Sequence, residues 1–327
     1  MDWQNKKVLV TGAGGFIGSH LTEHLVHLGA DVRAMVHYNA LGSWSWLDQS
    51  DVQDEIDVVA GDIIDRDSVR SAMEDCEMVF HLAALIAIPY SYRAPMSYVR
   101  TNIEGSINVF QAARELGTEK IIQTSTSETY GSAIYTPIDE KHPLQGQSPY
   151  SASKIGADMM AQAFYQSFDV PVATIRPFNT FGPRQSARAV IPTIITQCLT
   201  QDKIKLGNIY PRRDMNYVAN TVSGFVAVAE SPESSGEIIN IGYGEDISIG
   251  DLAQMIARLM DKSIDIETDE KRLRPEGSEV DRLLADVSRA NDLLGWQPQV
   301  SLEQGLQKTI EWVSNHLERY RPGVYIV

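Results

Sequence analysis

Short apolar runs alternate with amphipathic stretches through the first half of the chain. The apolar-rich runs at residues 7–10, 32–36, 57–60, 78–82, 120–123 and 172–176 read as buried strands. The segments 18–28, 68–73, 99–116 and 150–167 between them read as helices. Strands alternating with helices imply right-handed crossovers and a parallel sheet covered on both faces. The expected class is therefore α/β, a doubly wound parallel sheet over residues 1–176. Beyond that the pattern loosens. Pro and Gly thicken at 176–177, 181–183, 210–211, 231–232 and 274–275, with helices expected at 191–199, 217–229, 249–260 and 301–316. Residues 177–327 read as a smaller α+β lobe, partly discontinuous, with some segments returning to the first domain.

Composition narrows the function classes. The 327 residues are 43% hydrophobic and 22% charged, ordinary for a globular protein, with a net charge of -15. Such a charge disfavours a general nucleic-acid or membrane-surface binder but leaves room for a small anion held by a few local cations. Cys76 and Cys198 have neither metal-ligand spacing nor a disulfide framework, so no metal is expected. The start Met1-Asp2-Trp3-Gln4-Asn5-Lys6-Lys7 has no secretory pattern, and no run nears the ~20 apolar residues of a membrane span. The expected location is the cytoplasm.

Val8-Leu9-Val10-Thr11-Gly12-Ala13-Gly14-Gly15-Phe16-Ile17-Gly18 places Gly12, Gly15 and Gly18 on a strand-to-helix turn. The first glycine permits the turn, the second a close approach to a pyrophosphate, and the third tight helix–sheet packing. Tyr150 and Lys154 stand four apart and share one face of the helix expected at 150–167. A nearby ammonium and a positive nicotinamide ring favour a tyrosine's phenolate, the form able to take an alcohol proton. Ser125-Thr126-Ser127-Glu128 lies at a strand end about twenty residues earlier, and its carboxylate can serve a second proton transfer.

This spacing, with Gly61-Asp62 and His81-Leu82-Ala83-Ala84, resembles the extended short-chain dehydrogenase/reductase superfamily over nearly the whole chain. The resemblance implies a Rossmann sheet with a C-terminal substrate-binding lobe. It implies dinucleotide binding by Gly12, Gly15, Phe16, Ile17, Gly18, His37, Asp62, Ile63, Leu82, Ala83, Ala84, Tyr150 and Lys154. Asp62 would meet the adenine, and Lys154 the nicotinamide ribose. The second strand ends in Val36-His37, where an acid would hold the adenosine ribose hydroxyls. The expected cofactor is a tightly bound NAD or NADP, with NAD slightly preferred.

The 125–128 stretch resembles the matching segment of GDP-mannose 4,6-dehydratases, in which the glutamate takes a proton from sugar C5. The resemblance makes Tyr150, Lys154, Thr126, Glu128 and Ser127 the catalytic set. In dTDP-glucose 4,6-dehydratases an acid occupies the position of Ser127, so the proton donor for water loss stays open among Glu128, Ser127 and a water. UDP-glucuronate decarboxylases carry a similar stretch. The segment from Arg176 to Arg184 looks like one that meets a substrate diphosphate, through Asn179 and Arg184. Arg213-Asp214-Met215 resembles a stretch whose arginine clamps the diphosphate or the nucleotide ribose, and an arginine fork suits phosphate oxygens. The stretch from Arg272 to Asp286, including Arg274 and Glu279, resembles GDP-mannose dehydratases and the dehydratases of legionaminic-acid pathways that act on nucleotide-linked N-acetylglucosamine. The segments 38–47 and 85–92 point the same way, and Pro89 is expected beside the substrate. The activity expected is an NAD(P)-dependent nucleotide-sugar 4,6-dehydratase acting on a GDP- or UDP-linked hexose. A 4-epimerase, a uronate decarboxylase and a non-catalytic cofactor-binding scaffold are the rivals. The family also implies a homodimer through the helices at 99–116 and 150–167.

Overall fold

Val8, Leu9 and Val10 have no exposed surface, as a strand covered on both faces requires. The computed structural model describes residues 1–201 and 203–320; positions 202 and 321–327 of the expected second lobe lie outside the described residues. Six strands come from the first half: β1 (Lys7–Thr11), β2 (Asp31–His37), β3 (Asp57–Gly61), β4 (Met78–His81), β5 (Lys120–Thr124) and β6 (Val172–Pro177). The helices there are α1 (Phe16–His27), α2 (Arg66–Met73), α3 (Ile88–Ser91), α4 (Pro95–Tyr98), α5 (Gly105–Leu116) and α6 (Pro149–Phe168). The helix expected at 99–116 is split: a π-helical turn, Val99–Glu104, precedes α5. Such turns occur often at functional sites.

The second half adds β7 (Asn179–Phe181), α7 (Val190–Thr200), β8 (Lys203–Leu206), β9 (Arg212–Tyr217), α8 (Val218–Glu230) and β10 (Ile238–Ile241). It continues with β11 (Asp246–Ser248), α9 (Ile249–Leu259), β12 (Asp265–Thr268), β13 (Arg282–Leu283), α10 (Ser288–Leu294) and α11 (Leu302–Asn315). The main sheet has the order β10-β6-β5-β4-β1-β2-β3 and is parallel throughout. β10 returns from the second half to pair with β6. The order reverses between β1 and β4, which opens a crevice at their C-terminal ends. Small sheets stand over the C-terminal ends: β9 pairs with β7, β11 and β13, and β12 with β8. No helix among the described residues is long and apolar enough to cross a membrane.

Candidate active site

The glycine turn is built for close approach. Gly12 has φ +70, and a Cβ there would lie 2.8 Å from the Ala83 nitrogen. A Cβ on Gly18 would overlap the Gly12 carbonyl oxygen. Gly15 caps α1 with no side-chain bond, so the first N–H groups of the helix face the crevice unclaimed by a cap. Thr11 Oγ1 accepts hydrogen bonds from the Leu82 and Ala83 N–H groups, both at 3.1 Å, and joins the strand ends on either side of the crevice. It also bonds His81 Nδ1 at 2.8 Å. Burial pushes the His81 imidazole down to about 3, so it is a neutral spacer. Phe16 stacks edge-on against His20, while Ile17 faces the core. Asp62 Oδ1 accepts from Ile64 N–H at 3.0 Å, and Oδ2 lies 3.5 Å from His37 Nε2. The Ile63 side chain is buried against Gly105, and its carbonyl accepts from Asn108 Nδ2 at 2.9 Å. These residues fit a dinucleotide: the turn is too tight for side chains at Gly12 and Gly18, and the first N–H groups of α1 carry no side-chain cap.

The catalytic pair sits on a well-capped helix. Ser148 Oγ accepts from Ser151 N–H at 3.1 Å, Ser151 Oγ accepts from Ser148 N–H at 2.9 Å, and Pro149 opens the helix. Tyr150 is buried beside Ile88 and Tyr98, its ring edge-on to Tyr98 at 6.2 Å. Burial pushes its phenol up, a Thr126 hydrogen bond pulls the other way, and the Glu128 charge adds to the rise. Tyr150 is therefore a neutral phenol here. No pull from the Lys154 ammonium offsets this; Lys154 Nζ donates to the Thr124 carbonyl at 2.6 Å. Burial lowers Lys154 itself to about 8, partly opposed by Asp158. Thr126 caps the turn Ser127–Tyr130: its Oγ1 accepts from Glu128 N–H at 3.2 Å. This cap fixes the two residues that flank Ser127, itself buried.

Beneath this group lies a buried network that sequence spacing did not disclose. Asp158 Oδ2 accepts from Ser125 Oγ at 2.7 Å and from Arg176 Nη2 and Nε at 2.8 and 3.1 Å. Arg176 Nη1 donates to Tyr130 OH at 3.0 Å, and Tyr130 donates to Asn240 Oδ1 at 2.7 Å. Arg176, which opens the segment expected to meet the diphosphate through Asn179 and Arg184, is sealed under the site. A second such residue is Asn102, on the π-helical turn. It accepts from Leu85 N–H and donates to Ser153 Oγ, both at 2.9 Å, tying the 82–85 segment to α6. A polar residue inside an apolar helical pattern was its sequence signal.

A cavity of about 540 Å³ opens beside Glu128 and brings together Pro89, Asn179, Arg213, Arg274 and Glu279. Tyr92, from the segment expected beside the substrate, also lines it. Its described lining includes the cations Arg93, Arg188, Arg213, Lys271, Arg272 and Arg274 against one acid, Glu279. That local excess favours an anionic ligand in an otherwise acidic chain. Asn179 Oδ1 is buried with no hydrogen-bond partner among the described residues. Arg274 Nη1 lies 3.8 Å from Glu128 Oε2, and Arg213 Nη2 lies 3.7 Å from Glu279 Oε1. Arg213 Nη1 donates to the Arg212 carbonyl at 2.9 Å, while its strand neighbour Asp214 is engaged elsewhere. The Asp214 carboxylate accepts from the N–H groups of Tyr243, Gly244 and Ala285 at 2.7, 2.9 and 3.2 Å, and burial raises it to about 7. Arg184 is placed elsewhere: its fork closes on Glu23 of α1 at 2.8 and 3.0 Å. Trp44 packs partly against the core, and Trp46 meets Trp312 edge-on at 6.1 Å.

Known proteins resemble this chain over nearly its whole length. UDP-glucose 4-epimerase of Mycolicibacterium smegmatis is 32% identical over 94% of this chain and 99% of that protein. UDP-glucuronic acid decarboxylase 1 of Xenopus tropicalis is 30% identical over 98% of this chain and 75% of its own length. DesIV, a dTDP-glucose 4,6-dehydratase from Streptomyces venezuelae solved with NAD bound, superposes with a TM-score of 0.87 at 26% identity, over 96% of this chain and 99% of that one. Identity alone does not choose among the three activities. With the model for GDP-mannose 4,6 dehydratase matching residues 9–309, the chain belongs to that family of nucleotide-sugar dehydratases, epimerases and decarboxylases.

Proposed function

We propose that the chain is a nucleotide-sugar 4,6-dehydratase that converts a GDP- or UDP-linked hexose, N-acetylglucosamine included, to its 4-keto-6-deoxy form. The observation that carries this reading is Glu128, held on the Thr126-capped turn beside Tyr150 and 3.8 Å from Arg274 of the cavity wall. The glycine turn, Asp62, Ile63, residues 82–84 and Lys154 would hold the cofactor, NAD slightly ahead of NADP; DesIV with NAD bound supports that order. When bound, it supplies a reversible acceptor for the C4 hydrogen.

Tyr150 takes the proton of the sugar C4 hydroxyl, and Thr126 hydrogen-bonds the same oxygen. The phenolate form needs cationic company, which a positive nicotinamide ring and the Lys154 ammonium provide. Once C4 is a carbonyl, the C5 proton is acidic and Glu128 removes it. The C6 hydroxyl leaves as water, protonated by Glu128, Ser127 or a bound water. A hydrogen then returns to C6 and a solvent proton to C5, so the net change is loss of one water. Residues 177–320 would supply the sugar-nucleotide side and residues 1–176 the cofactor side. A second copy would dock on α5 and α6, where Met159 and Tyr165 are exposed; analytical sedimentation would give a dimer mass, and a monomer would remove this part.

A 4-epimerase is the second reading, and relatives of that activity are as similar to this chain as the dehydratases are. It uses Tyr150, Thr126 and Lys154 but needs no C5 base. Incubating the pure protein with GDP-, UDP-, dTDP- and CDP-hexoses, without added reductant, separates the two. Loss of one water from one member supports the dehydratase; a mass-neutral change of C4 configuration overturns it, and carbon dioxide from a uronate would mark a decarboxylase.

A further inference from the structure

Arg213, Arg274 and Glu279 line the cavity, Glu128 lies against Arg274, and neither the Glu128–Arg274 nor the Arg213–Glu279 pair is a hydrogen bond. Glu128 and Arg274 stand 3.8 Å apart, and Arg213 and Glu279 3.7 Å apart. All four are largely shielded, with side-chain exposures of 12%, 29%, 7% and 18% for Glu128, Arg274, Arg213 and Glu279. Arg274 Nη1 is buried with no hydrogen-bond acceptor among the described residues. A buried donor left in this way is costly and gains from an oxygen brought within reach. Arg274 also lines the cavity, whose cationic wall suits a diphosphate. Its guanidinium therefore faces two anions in turn: a carboxylate already beside it and a phosphate that the cavity would admit.

We propose that Arg274 is a shared cation: it neutralises Glu128 until a nucleoside diphosphate group reaches it, then transfers to the phosphate and frees Glu128 to act as a base. This rests on the nucleotide-sugar reading and deepens it. Release of the C5 base is tied to the seating of the diphosphate. Glu128 thus opposes nucleotide binding, because the nucleotide must first draw Arg274 away. Arg213 feels the charge of Glu128 as well as Glu279 and stays on the wall as the fixed cation. Arg274 is a positioning residue in this scheme; the proton moves through Glu128.

Competition for one guanidinium has a signature in binding that a merely structural role lacks. Titration calorimetry with GDP, UDP, dTDP and CDP would be run on the whole chain, on Glu128→Gln, on Arg274→Gln and on the double variant. Glu128→Gln is expected to tighten binding of the preferred nucleoside diphosphate by about fivefold or more, and by less than about twofold when Arg274→Gln is also present. Equal tightening in both backgrounds would mean simple repulsion between Glu128 and the phosphates, and would overturn the proposal. Unchanged or weaker binding by Glu128→Gln would overturn it as well. Arg274→Lys keeps the charge but not the fork, and an intermediate coupling is expected; it replaces Arg274→Gln if that variant does not fold. Failure of all four nucleotides to bind the unaltered chain would instead remove the nucleotide-sugar reading itself.

Discussion

Charged groups under the crevice touch at hydrogen-bond distance, while those in the cavity stand off. Asp158 and Arg176 meet at 2.8 Å with almost no exposed surface, and Lys154 reaches the Thr124 carbonyl at 2.6 Å. The Arg274–Glu128 and Arg213–Glu279 pairs stand at 3.8 and 3.7 Å, with Arg274, Arg213 and Glu279 on the cavity wall. The first set is closed and holds α6, β5 and β6 in register beneath Tyr150. The second is open to new partners. The same residue types therefore do two jobs: fixed framework below, exchangeable anion binding above.

The sharpest contrast concerns turnover without loss of fold. Tyr150→Phe is expected to lower kcat by about 10³-fold while circular dichroism and melting stay close to those of the parent, since only the phenol oxygen is lost. A tenfold effect or less would move the proton-transfer role elsewhere. Next comes the framework. Asp158→Ala leaves Arg176 buried and uncompensated, and is expected to destabilise the chain by about 3–5 kcal/mol in denaturant unfolding. A cost under about 1 kcal/mol would show that the lower network is no more committed than the cavity pairs.

Lys154 ranks third. Its folded-state value of about 8 lies below the ordinary 10.5, so burial of the ammonium disfavours the fold below pH 8, and the penalty lifts as pH rises from about 8 to 10.5. Lys154→Met is expected to stabilise the ligand-free chain at pH 7 by about 1–3 kcal/mol, to flatten its stability over that window and to abolish turnover. A destabilised variant would show that the Thr124 bond outweighs the buried charge. The smallest stability effect belongs to the cavity. Arg274→Gln is expected to change stability by under about 1 kcal/mol while raising KM about tenfold or more. A large loss of stability would make Arg274 part of the framework and erase the contrast.

Much of the framework was legible in the sequence because buried parallel strands carry unbroken apolar runs. The runs at 7–10 and 120–123 match β1 and β5 closely, and the glycine turn announced its own geometry. β10 was not legible: it is four residues long, and its place beside β6 is set by topology, not local pattern. In the site, Tyr150, Lys154, Thr126 and Glu128 were legible because chemistry and helical spacing coincide, and the structure brings them together. Arg176 and Arg184 were harder. Both lie in the stretch that carries Asn179, yet Arg176 turns inward to Asp158 and Arg184 closes on Glu23, 161 residues away in sequence. Partners that distant leave no local trace. Glu128 meeting Arg274 is of the same kind, visible only once β13 and the loop before it fold over β9.

The central claim is that Glu128 handles the C5 proton, and running the reaction in deuterium oxide tests it most directly. The chain is expected to give a 4-keto-6-deoxy product, one water lighter, with one deuterium at C5 and the hydrogen returned to C6 derived from C4. Glu128→Gln is expected to give neither water loss nor deuterium at C5. A product with full turnover and no deuterium at C5, or a Glu128→Gln variant that labels C5 as fast as the parent, would contradict the account.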